Sequence, residues 1–249
     1  MSQGNYRRSV SLDVMPLTLA SAAAQAYAWT RSGRGPAMAR AAITVAAIGV
    51  LLAASASAQA PAPSAFTVIS PIFGQLVTFS MPTSFVTVFE NTQGPSYMRE
   101  AVLKGETAKS WTQMITVTGA RGAADDAKAT PEIFAGRMVG GFKSACPDTF
   151  AAHGFGPTKF GDQDAYVAVA SCGRVETGAD KYSETTLMVA VKGSTDYYTL
   201  QWAERGPAAG RGAIDEAKWL ARLRQLQPIR VCPIVPGERA PYPSCVSRK

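Results

Sequence analysis

TPEIFAGRMVGGFKSACPDTFAAHG, Thr130 to Gly154, is a helical stretch set between two runs of strand-like sequence. Thr130-Pro131-Glu132 opens it. The threonine supplies a capping hydroxyl, the proline at the first helical position gives up an N–H that has no partner there, and the acid faces the positive end of the helix. Phe134, Met138, Phe142 and Cys146 recur every four residues, which predicts one apolar stripe laid against a sheet. Gly136, Gly140 and Gly141 each cost about 1 kcal/mol of helix stability relative to alanine, so a close backbone approach is expected at them. His153-Gly154 is expected to close the segment, with the imidazole near the helix C-terminus and the glycine in a left-handed turn.

Upstream, Phe66 to Ile72 and Gln75 to Met81 are rich in β-branched and aromatic residues, broken by Pro71 and Gly74 and stopped by Pro82. Ser84 to Glu90 alternates Phe85, Thr87 and Phe89 against Val86, Val88 and Glu90, which predicts a strand covered at least partly on both faces. Tyr97 to Leu103 and Lys109 to Thr118 form a hairpin. Its second strand puts Trp111, Gln113, Ile115 and Val117 on one face and Ser110, Thr112, Met114, Thr116 and Thr118 on the other, a threonine-rich face that suggests solvent or a groove, an ordinary exposed sheet face being the better reading. Gly119 to Ala129 has no apolar periodicity and is expected to be a mobile surface loop. Asp125 and Asp126 within it lack the alternating oxygen ligands of a calcium loop and read as solvated charges.

Downstream, Phe155 to Phe160, the turn Gly161 to Asp164, and Ala165 to Val175 make a second hairpin, and Tyr182 to Val191 with Thr195 to Glu204 a third. Asp215 to Gln227 is a second helix, with Trp219, Leu220, Leu223 and Leu226 inward, Arg222 and Arg224 exposed, and Pro228 as its stop. The expected fold class is α+β: an antiparallel β-sheet packed with two helices, in a single domain over residues 66–228. The proline-rich tail 229–249 is expected to be irregular and tied by a disulfide.

Met38 to Ala60, MARAAITVAAIGVLLAASASAQA, has the layout of a secretory signal: Arg40, an apolar run from Ala41 to Ala54, and the small residues Ala56-Ser57-Ala58. Residues 38–58 are therefore expected to be removed, leaving 59–65 as an extended leader and no stable membrane span. A spanning helix needs about 20 apolar residues, and this run ends at Ser55. Residues 1–37 read as a disordered gene-model extension, with a composition that would also suit a transit peptide. Removing 1–58 takes away Arg7, Arg8, Arg31, Arg34 and Arg40 against Asp13, so the whole chain's 25 basic and 18 acidic residues become 20 and 17, a net charge of +3. The remaining Lys104, Lys109, Lys159, Lys181 and Lys192 are scattered among acids, which argues against a nucleic-acid partner.

Four cysteines in an exported, periplasmic or secreted chain read as two disulfides. The return path of the second hairpin toward the helix end pairs Cys146 with Cys172, leaving Cys232 with Cys245. One histidine and no C-x-x-C leave a metal site without ordinary ligands, and no cofactor motif is present. His153 is the sole conventional general base, but no G-x-S-x-G accompanies it, so a helix-capping role is the better reading. Asp162 and Asp164 could be posed as a glycosidase pair, yet Gly161-Asp162 is ordinary turn chemistry.

The element order, with antiparallel hairpins on both sides of a central helix and the stretch Gly105-Glu-Thr to Trp111-Thr-Gln-Met-Ile-Thr-Val, resembles the Mog1/PsbP-like fold of small exported bacterial proteins. That resemblance implies an α/β/α sandwich and a binding or assembly role. The reading is a non-enzymatic exported protein that binds an unknown protein or small ligand in the cell envelope. Two alternatives stay open: a hydrolase-like enzyme using His153 or the Asp162/Asp164 turn, and an envelope structural or host-facing protein, which would expose a large apolar patch.

Overall fold

A computed structural model of the chain describes residues 64–177 and 180–246. The expected extension 1–37, signal segment 38–58 and most of the leader lie outside the described residues. Strands β1 (Ala65–Ile72), β2 (Gln75–Pro82), β3 (Phe85–Gln93), β4 (Ser96–Leu103) and β5 (Gln113–Ala120) precede the helix α1 (Pro131–Ala145). β6 (Phe150–Phe160), β7 (Gln163–Thr177), β8 (Asp180–Lys192) and β9 (Tyr197–Pro207) follow it, then α2 (Glu216–Leu226), β10 (Arg230–Pro233) and the short α3 (Pro243–Val246). The fold class is α+β with antiparallel pairing throughout.

There are two sheets. Seven strands run in the order β3-β4-β5-β9-β8-β7-β6, and β1-β2-β10 form a separate small sheet. One face of the large sheet carries Ile115, Val117, Leu187, Val189, Leu200 and Trp202 against the small sheet and α2, whose Trp219 and Leu226 are buried there. We call this the α2 face. On the opposite, α1 face, Met138, Phe142 and Cys146 pack on Ala170, Cys172, Val175 and Met188, so α1 covers β6, β7 and β8. The disulfide Cys146–Cys172 joins the end of α1 to β7, and Cys232–Cys245 joins β10 to α3, each with Cα atoms 5.7 Å apart.

Local chemistry explains where the sequence reading needs correction. Thr130 caps α1 by accepting from Ile133 N–H, but the helix stops at Ala145. Pro147 disfavours helical backbone at Cys146, which adopts φ −144° and ψ 57°. His153 therefore lies in β6 and has no capping role. A Cβ added to Gly136, Gly140 or Gly141 would meet nothing within 4 Å, so these glycines face open space and mediate no close approach.

The Gly119 to Ala129 segment is tied down, contrary to the mobile loop expected. Asp196, 2 % exposed, accepts from Gly122 N–H at 2.8 Å, Ala124 N–H donates to Thr195 O at 3.0 Å, and the Tyr197 hydroxyl donates to Ala129 O. Ala123, Ala124 and Ala129 are buried around that tyrosine. β3 departs from the covered strand expected: beyond buried Phe85 it is largely exposed, because it is the outermost strand of its sheet. β5 departs the other way. Lying between β4 and β9, it buries both faces over Met114 to Val117, so Thr116 is buried and the Thr118 and Thr199 hydroxyls bond at 2.6 Å. Its strand starts at Gln113 and leaves Trp111 outside.

Arg222 is half-buried. It bonds Glu204 through Nε at 2.8 Å and lies 4.5 Å from the Trp202 ring centre. The tail expected to be irregular supplies β10, registered against Gln75 to Thr78 of β2, and α3, whose Cys245 carbonyl accepts from Arg230.

Candidate functional site

His153 sits on edge strand β6, registered with Val169, its Nδ1 3.2 Å from Glu216 Oε1 of α2. Its residue also borders a cleft of about 240 Å³ between α1 and β6–β7, lined with Glu132, Gly136, Val139, Gly154 and Tyr166. The lining includes no serine, threonine or cysteine. The pair joins an imidazole to a carboxylate, and the cleft adds no nucleophile of the kind a covalent hydrolase would need. A Cβ at Gly154 would come 2.6 Å from the Tyr166 hydroxyl, so a side chain there would have to displace the tyrosine.

The Asp162/Asp164 turn holds no acid pair. Gly161 takes φ +61° at the β6–β7 connection, Asp162 is exposed, and Asp164 is bound by Lys159 Nζ at 2.5 Å. That hydrogen bond holds the Asp164 carboxyl below its ordinary pKa, the opposite of what a catalytic acid requires. Asp125 and Asp126 are exposed, and Asp126 accepts from Lys128 N–H at 2.9 Å as an ordinary turn. Among the described residues no group of three or more histidine, cysteine or acidic side chains is placed to hold a metal.

The threonine-rich face of β5, expected to meet solvent or a groove, belongs to the part of the α1 face beyond the helix, and β3, β4 and β9 complete that surface. Register places Val86, Val102 and Met114 in one row across β3, β4 and β5, and Phe89, Glu100 and Thr116 in the next. Asn91, Met98 and Thr118 make the third. β9 continues these rows with Ala203, Gln201 and Thr199, up to where Phe134 of α1 stacks on Tyr197 at 4.6 Å. The floor is buried near the helix, at Met114, Thr116, Thr199 and Gln201, and opens toward the sheet edge, where Val86 is 36 % and Phe89 39 % exposed.

Glu100 is the one ionisable group in those rows. It makes no hydrogen bond or ion pair among the described residues, and burial raises its pKa above the ordinary value. A carboxylate among Val86, Phe89, Met98, Val102 and Met114 is short of solvation and of a counter-charge. Neighbouring groups on the opposite face do have hydrogen-bond partners, although Arg99 Nη2 is buried without one among the described residues. Arg99 Nη1 donates to Ser70 Oγ at 2.6 Å, and the Tyr97 hydroxyl donates to Glu90 at 2.7 Å. At the far end, buried Glu184 bonds Arg205 at 2.9 Å, and Arg205 is sandwiched between Trp111 and Tyr182, 3.7 and 4.2 Å from their ring centres. The α1-face period was visible in the sequence, but not which part of the face the helix would leave.

No family model and no curated protein matches the chain. Among solved structures, it is similar to a protein from Bacteroides thetaiotaomicron VPI-5482, at 13 % identity and a TM-score of 0.32, covering 66 % of this chain and 47 % of that one. The chain thus spans about half the length of that neighbour. It is also similar to LpqN, described as involved in cell envelope biogenesis of Mycobacterium tuberculosis, at 10 % identity and a TM-score of 0.35, covering 68 % of this chain and 91 % of that one.

Proposed function

We propose that this chain is an exported, non-enzymatic binding or assembly protein of the cell envelope, and that its binding surface is the α1-face patch around Glu100. The observation that carries this reading is the patch itself: exposed Val86 and Phe89 on edge strand β3 beside Glu100 of β4, a half-buried carboxylate with no partner among the described residues. Buried Glu184, by contrast, is paired with Arg205 at 2.9 Å. Two disulfides suit an oxidising, extracytoplasmic setting, and among the described residues no helix is long and apolar enough to cross a membrane. A Mog1/PsbP-like sandwich remains the finer reading of the fold, supported by the element order and by a long helix on each face of the large sheet.

Export with cleavage after Ala58 belongs to the same proposal. Mass spectrometry of protein secreted by a native-like host is expected to find Gln59 at the N-terminus, and retention of residues 1–58 on the mature chain would refute export by that signal. Binding is tested by placing a photo-crosslinking residue at position 89 in the producing cell, with position 162 as control. Adducts specific to position 89 are expected. Equal labelling at both positions would remove the patch as a binding surface.

A further inference from the structure

β3 differs from every other sheet edge of the described structure. Edge strand β6 is interrupted by a register shift between Gly154 and Gly156, with Gly156 at φ +101°, and by Pro157, which has no N–H to offer. β1 carries Pro71, and β10 is four residues long, ends in Pro233 and is bridged to α3. Such features are the usual blocks to strand addition. β3, FVTVFENTQ, has no proline, lysine or arginine, and its one acid, Glu90, is held on the α2 face by Tyr97. It has a register shift between Thr87 and Phe89, after which Phe89 to Gln93 runs regularly against Ser96 to Glu100. This leaves a row of backbone groups open to an incoming strand.

Resting on the reading of the patch as a binding surface, we propose that β3 and Glu100 together receive an extended polypeptide segment of a partner, added at the β3 edge, that presents an arginine or lysine between apolar residues. Strands lie about 4.8 Å apart, so a residue of the added strand opposite Phe89 is about 10 Å, two strands, from Glu100. A long basic side chain spans that gap by lying across the Phe89 ring, a cation–π contact, and ending at the carboxylate. Apolar residues on the same side of the segment meet Val86 and Phe89. A second copy of this chain paired through β3 does not fit, because Phe85 to Gln93 contains no cation to offer Glu100. Charge complementarity therefore selects a different partner. Backbone hydrogen bonds would give affinity and the basic residue specificity, as in other strand-addition modes.

The test uses the exported full chain and fluorescence anisotropy with a labelled heptapeptide of alternating threonine and valine carrying a central arginine. Two companions are the same peptide with central glutamate and the arginine peptide with alternate amides N-methylated. The arginine peptide is expected to bind, the glutamate peptide about tenfold or more weakly, and the methylated one not at all. Glu100→Gln should weaken the arginine peptide about tenfold and leave the glutamate peptide no weaker, and Phe89→Lys should reverse the preference. Far-UV circular dichroism confirms that each variant is folded. Equal affinity for the arginine and glutamate peptides overturns the basic-residue assignment while leaving the crosslinking result at position 89 intact. Binding that survives N-methylation overturns strand addition. A dimer in light scattering that Phe89→Lys dissociates would assign the edge to a second copy and overturn the proposal as well.

Discussion

Glu100 is where single-residue energetics and function meet. A carboxyl whose pKa is raised on folding holds its proton more tightly folded than unfolded, so ionisation works against the fold. The penalty is absent below the ordinary glutamate range, appears as pH rises through it, and is complete above the raised native value. Glu100→Gln is therefore expected to raise the melting temperature at pH 7, with the two proteins converging near pH 4; a lower melting temperature for the variant at pH 7 would contradict this. Groups facing Glu100 do not complicate the sign. β3 and β5 present no charge on the α1 face, Arg99 and Glu90 project to the other face, and Glu132, Arg137 and Lys143 of α1 are exposed. His153 gives the opposite kind of residue-scale prediction. Its contact with Glu216 is between exposed groups, so His153→Ala should cost only about 0 to 1 kcal/mol in urea unfolding and leave peptide binding at the β3 edge unchanged.

At the scale of elements, helices were the most legible because their ends carry signals within a few residues. Thr130 and Asp215 cap α1 and α2 with their own side chains, whereas α1 stops before Pro147 rather than at the expected His153-Gly154. Strand identity was legible from alternation and turn residues, but strand exposure was not. FVTVFE and QMITVT have similar local patterns, yet one is the outer edge and the other lies third in from that edge, between β4 and β9. The segment 119–129 shows the same gap, since its partners Thr195, Asp196 and Tyr197 are distant in sequence. Asp196→Ala leaves Gly122 N–H without its acceptor and is expected to destabilise the protein by about 1 to 3 kcal/mol, with faster hydrogen exchange concentrated in residues 119–129. Uniform acceleration over all elements would mean that Asp196 does not anchor this segment in particular.

For the whole molecule, two sheets close on one core, and each disulfide fastens a helix to a strand at its border. Residues 146 and 172 are 26 apart in sequence and 232 and 245 are 13 apart. In the chain-entropy account, a double alanine replacement of Cys146 and Cys172 should lower stability by about 3 kcal/mol, measured by urea unfolding of the oxidised protein. Non-reducing peptide mapping is expected to recover the peptide pairs 146–172 and 232–245, and a link from Cys146 to either tail cysteine would contradict the register of Phe150 with Cys172 that brings the first pair together.

The sequence by itself determined the α+β class, the hairpin order and most helix limits, because these follow from capping, turn residues and periodicity acting over a few neighbours. Tertiary structure alone decided that the strands divide into two sheets, that β10 completes the small one, and that α1 lies over β6 to β8 and not over β3 to β5. Those outcomes depend on which strands become neighbours across long stretches of chain. The candidate site falls in this second group: Phe89, Glu100 and Met114 lie on three strands, none with a motif of its own, and become one surface only when register aligns them and the helix stops short of covering them.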